Sequence, residues 1–92
     1  MRFTWDPKKS KELKANKHRK CSFEEAQVIF SHYYVEFQKN DDPDQFLVIG
    51  YVGNKLISLV YEPREDDTGE YYHFVTLWRS TPGERKQYED NI

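Results

Sequence analysis

The sequence predicts an α+β fold in one small domain: an antiparallel β-meander of about four to five strands, packed with two N-terminal helices and a short C-terminal helix. Three observations carry that expectation. Helix-start signals stand at Asp6-Pro7, at Ser22 to Glu25 and at Thr81 to Glu84. Between the last two lies a run of β-prone segments separated by polar turns. The chain has 92 residues, and a chain of this size buries only about 60 to 65% of its unfolded surface, enough for one core but not two.

Each element has a local reason. Arg2 to Trp5 alternates, with Phe3 and Trp5 pointing the same way, which predicts a short first strand. Asp6 can cap a helix whose first residue is Pro7, where a missing N–H costs nothing, and Lys8 to about Lys17 supply helix formers. Ser22 and Glu25 read as a capping box that opens a second helix over residues 23–31. Tyr33, Val35 and Phe37 alternate with polar neighbours, predicting a strand before a polar turn from Lys39 to Asp44. Gln45 to Val52 and Leu56 to Tyr61 read as a hairpin through Gly53 and Asn54, residue types that accept positive φ. Pro63 to Gly69 reads as a charged turn, and Tyr71 to Trp78 as a last strand with Tyr71, His73, Val75 and Leu77 on one face. Thr81 and Glu84 form a second capping box around Pro82, predicting a helix over residues 82–90.

Composition narrows the class. Charged residues make up 33% of the chain, yet 15 residues are Phe, Tyr or Trp, enough large apolar surface to argue for folding. No apolar run approaches the roughly 18 residues of a membrane helix, and no signal-peptide pattern opens the chain, so a cytoplasmic protein without membrane contact is expected. The single cysteine, Cys21, is expected to be a structural thiol. Net charge is −2, but it is segregated: residues 1–20 hold eight Lys or Arg against two acids, and residues 21–70 hold three against eleven. A basic end of this kind suits a polyanion, and it equally suits a solvated lysine-rich helix. His18, His32 and His73 lack metal-ligand spacing, and no glycine-rich phosphate loop is present, so neither a metal nor another cofactor is expected.

Several motifs occur in order along nearly the whole chain: Trp5-Asp6, Lys17-His18, Ser22-Phe23-Glu24-Glu25-Ala26, Ile49-Gly50, Val60-Tyr61 with Arg64, and Thr81, Glu84 and Tyr88. In order and spacing they resemble the BrnT family of ribonuclease toxins from bacterial type II toxin-antitoxin pairs. The resemblance implies a RelE-like fold, endoribonuclease activity, and neutralisation by a ribbon-helix-helix antitoxin protein in a dimer or a toxin-antitoxin heterotetramer. It also has departures. Where the family carries Arg-Ile-Ile-Ser-Ala-Arg on its last strand, this chain reads His73-Phe74-Val75-Thr76-Leu77-Trp78. Where the family has Glu-Arg before Ile-Gly, it reads Asp44-Gln45.

Metal-free RNA cleavage needs a base for the 2′-hydroxyl, an acid for the leaving 5′-oxygen and cations for the phosphate. His18, His73, Arg79 and Tyr88 are the candidate catalytic residues, and Lys11, Lys14, Lys17 and Arg64 the candidate RNA-binding ones. Each also has a structural reading. His18 can stabilise a helix end, His73 can pack on the sheet, Tyr88 can anchor the last helix, and Trp5 and Trp78 can be core residues. The alternative function is a degenerate relative that binds nucleic acid or protein without cleaving.

Overall fold

The computed structural model describes residues 1–92 as a single five-stranded sheet carrying helices on both faces. Strand β1 spans Arg2–Thr4, followed by helix α1 (Pro7–Ala15), helix α2 (Phe23–Ala26) and a 3₁₀ helix over Gln27–Ser31. Strands β2 (Tyr34–Asp41), β3 (Asp44–Val52), β4 (Lys55–Asp66) and β5 (Gly69–Arg79) then form an antiparallel meander, and helix α3 (Pro82–Asp90) closes the chain. Strand order is β1-β5-β4-β3-β2, with β1 added parallel to β5 through Arg2 to Thr4 against Tyr71 to His73.

The expected helix caps are present. The Asp6 carboxylate accepts from the Lys8 amide, and both capping boxes are complete. The first helix stops at Ala15, short of Lys17, because the Asn16 amide closes it on the Glu12 and Leu13 carbonyls and the chain then turns. The second helical segment tightens from α-helix to 3₁₀ helix after Ala26.

The strands run further than the sequence predicts. β2 continues to Asp41, so the expected turn from Lys39 to Asp44 contracts to Asp42 and Pro43, with the register shift near Lys39 absorbing the mismatch. β4 continues through Pro63 to Asp66, and the charged segment read as a turn is mostly strand. Pro63 is tolerated because β3 pairs with β4 only as far as Tyr61. Beyond that residue one side of β4 is an edge, where a missing N–H breaks no ladder.

The alternation of β5 also breaks. Val60 pairs with Thr76 but Tyr61 pairs with Phe74, so Val75 is an extra residue bulged out of the ladder. The bulge moves Leu77 to the same face as Phe74, and Tyr71 and His73 face the other way. The two faces therefore have distinct tenants. One carries Leu13, Phe23, Ala26 and Ile29 of the helical segments against Val48, Ile57, Leu59, Tyr61, Phe74 and Leu77. The other seats α3 through Tyr88 on Val35, Ile49 and Leu56. Gly50 lets the 3₁₀ helix approach closely, since a Cβ there would stand 2.8 Å from Ile29 Cγ2. Trp5 stacks on Phe74 at 5.6 Å between ring centroids, a core contact rather than a free aromatic platform.

Candidate functional site

The sheet brings together one polar row on the face that holds α3. His73 on β5 lies directly opposite Glu62 on β4 and beside Thr4 on β1. In such a pair the Cβ atoms are about 5 Å apart and the side chains share a face. Arg64, two residues along β4, falls on that face again. α3 packs over β2 and β3 and reaches β4 and β5 at Leu56, Ser58 and Trp78, toward the end of those strands away from His73.

Hydrogen bonds fix the row. The Arg64 guanidinium donates to Glu62 Oε1 at 2.9 Å, and Gln45 Nε2 donates to Glu62 Oε2 at 3.2 Å. Together the Gln45 bond first and the Arg64 bond second hold the Glu62 carboxyl below the usual carboxylate range. His73 Nδ1 bonds Thr4 Oγ1 at 2.9 Å, which orients the ring and leaves Nε2 for another partner. Partial burial, then the nearby Arg64 cation, pushes the His73 pKa down; Glu62 and Asp6 oppose without prevailing. At the end of the row Arg2 clasps Asp66 at 2.7 Å and lies over the Tyr71 ring at 4.9 Å.

Of the expected site residues, only His73, a catalytic candidate, and Arg64, an RNA-binding one, share this row. Arg79 is paired with Ile57, on the opposite face from His73 and six residues along β5, roughly 20 Å at strand rise. Its neighbour Trp78 is half-buried and donates its indole N–H to Glu84 at 2.9 Å, so the strand end tucks the indole in and turns Arg79 away. Tyr88 is buried in the α3 core against Tyr33 and Tyr51, away from His73, and burial raises its pKa. His18 is exposed in the turn after α1, beyond the helix end, with its amide bonded to Asn16 Oδ1.

The candidate RNA-binding lysines lie across the sheet from the row. Lys11 and Lys17 are exposed, and Lys14 is ion-paired with Glu25 at 2.9 Å. Cys21 is 2% exposed, and burial pushes its thiol up to about 11 despite the cations of Lys55, Lys14 and Arg79. Buried and unpaired, it sits within the core rather than at the surface. No three His, Cys, Asp or Glu side chains gather in a group that could hold a metal ion.

Sequence reasoning missed Glu62, Gln45 and Thr4. Glu62 and Arg64 were detectable as same-face neighbours had the strand been continued through Pro63. Gln45 and Thr4 depend on register and on the parallel placement of β1, which no local pattern encodes. No protein-family model matches the chain, and no curated protein is significantly similar to it.

Proposed function

We propose that the protein is a metal-independent endoribonuclease acting on single-stranded RNA, a toxin of the BrnT type held in check by a ribbon-helix-helix antitoxin. The single observation that supports cleavage is the opposition of Glu62 and His73 on neighbouring strands, with Arg64 bonded to the carboxylate. A phosphodiester lying across the two strands meets a base on one side and an acid on the other, with a guanidinium beside the base.

In this reading Glu62 takes the proton of the 2′-hydroxyl, whose oxygen attacks the adjacent phosphorus. His73, protonated at Nε2 and held through Nδ1 by Thr4, donates to the departing 5′-oxygen. Arg64 balances the extra negative charge on the non-bridging oxygens, for which a planar guanidinium is well shaped. The products are a 2′,3′-cyclic phosphate and a free 5′-hydroxyl, and no redox partner or metal enters. His18, Arg79 and Tyr88 have no part in this step.

The test is cleavage of an end-labelled RNA in EDTA by wild type, Glu62→Gln, His73→Gln and Arg64→Gln, with Arg79→Ala and Tyr88→Phe as controls. Removal of a general acid or base is expected to lower the rate about 10² to 10⁴-fold, while the controls cut normally. RNA left uncut by wild type, or cut equally by Glu62→Gln and His73→Gln, sinks the proposal. Retention of uncut RNA on the protein instead supports the binding-module alternative. Co-expression with a ribbon-helix-helix protein encoded beside this one tests the antitoxin, which is expected to co-purify and to abolish cleavage.

A further inference from the structure

A cleft of about 330 Å³ opens on the opposite face and at the opposite end of the sheet from His73. It lies between the turn after α1 and the tip of the β3–β4 hairpin. Its walls are Lys20, Cys21, Glu25, Val28, Val52 and Lys55, with Gly53 at the hairpin tip. The floor is apolar: Cys21 is closed off, Val52 is half-buried, and Val28 stands 40% exposed with no role in the core. The rim is cationic, from Lys20 and Lys55, with Arg79 close enough to act on Cys21. The one rim carboxylate, Glu25, is already paired with Lys14.

The rim is also held in place. Lys20 adopts a left-handed backbone, φ 49°, which a side-chain-bearing residue rarely takes. Its carbonyl accepts from Lys55 Nζ at 3.2 Å, and its amide donates to the Asn16 carbonyl at 2.8 Å. Non-glycine residues in such conformations persist where their surroundings fix them, and they gather at binding sites.

We infer that this cleft binds an acidic peptide segment of a partner protein, which inserts an aliphatic side chain between Val28 and Val52 while its flanking carboxylates face Lys20 and Lys55. Charge complementarity sets the sign of the partner, and Val28 with Val52 sets its anchor. A nucleic-acid strand fits less well, because its phosphates would leave the apolar floor of Val28 and Val52 unused. The inference stands apart from RNA cleavage, since the two sites lie on opposite faces.

The experiment is titration of the full chain with fluorescein-labelled Glu-Asp-Leu-Ile-Glu-Asp, read by polarisation and by backbone NMR. Expected are saturable, salt-weakened binding and shifts centred on Lys20, Val28 and Val52. A loss of affinity of about tenfold or more is expected in Lys20→Glu and in Val28→Asp, both at exposed positions that leave the fold intact. Substituting Ser-Ser for the central Leu-Ile should abolish binding. No binding at millimolar peptide overturns the inference, as does equal affinity for Lys-Lys-Leu-Ile-Lys-Lys. Shifts at other surfaces, or tighter binding of a labelled oligonucleotide to the same cleft, also overturn it. RNA cleavage measured on the same variants should be unchanged, so failure of one proposal leaves the other standing.

Discussion

At the scale of single residues, the two titrating groups of the polar row set a pH window. The active form requires Glu62 ionised and His73 protonated. Both pKa values are lowered, Glu62 from 4.5 and His73 from 6.5. Cleavage should therefore fall as pH rises through the lowered His73 value, and fall again as pH drops through the lowered Glu62 value. The expected profile of kcat/KM is a bell with its optimum on the acid side of pH 6.5. Thr4→Val should displace the upper limb, because it removes the partner of Nδ1. A profile still rising above pH 7 would rule out His73 as the acid.

Tyr88 invites a separate residue-scale test of packing against chemistry. Tyr88→Ala should destabilise the fold by about 3 kcal/mol through loss of a buried aromatic ring. Tyr88→Phe should keep both stability and cleavage. Urea melts beside an RNA-cleavage assay on the two variants check this, and a Phe variant that folds but does not cleave would restore Tyr88 to the site.

At the scale of elements, buried polar groups join the helices to one another and to the sheet. Ser10 is 1% exposed; its hydroxyl accepts from the Phe23 amide at 2.9 Å and donates to the Glu24 carboxylate, locking α1 to the start of α2. Ser10→Ala leaves a buried N–H without a partner and should cost about 1 to 3 kcal/mol in denaturant unfolding. Glu84 plays the same part for α3. Burial would raise its pKa, but bonds from the Thr81 amide, the Trp78 indole and the Ser58 hydroxyl outweigh that and hold it low. Glu84→Gln keeps the size yet weakens three contacts, and its thermal midpoint should fall more than that of Lys86→Gln, whose ion pair to Asp90 is largely exposed to solvent.

At the scale of the whole molecule, the sheet separates the basic helix from the polar row. α1 packs on one face, and Glu62, Arg64 and His73 occupy the other. Arg64, with Arg2 nearby, rather than the lysines of α1, supplies cation near the proposed scissile phosphate. Each phosphate contact on a single strand contributes about 0.7 to the salt slope of binding. Arg64→Gln should reduce that slope by about this amount, whereas Lys11→Gln with Lys17→Gln should leave cleavage unchanged. A large loss of cleavage in the lysine double variant would mean that RNA wraps the edge of the sheet.

What the sequence alone determined about this protein was local: the three helix starts and the Gly53–Asn54 hairpin. Each depends on residues within a few places of one another, through a side chain reaching its own backbone or a turn needing positive φ. Alternation, by contrast, was a sound guide only where the ladder was unbroken. It failed at Val75, where one bulged residue reversed the faces, and the strand reading stopped short at Pro63, whose edge environment depends on where β3 stops pairing. The candidate site was legible only in part for the same reason. His73 and Arg64 were visible as chemistry, but their convergence with Glu62, Gln45 and Thr4 rests on strand register and on β1 lying parallel beside β5. Those are contacts between residues up to 69 apart in the chain, and tertiary packing alone decides them, because the choice is made by which faces of distant elements can be buried together.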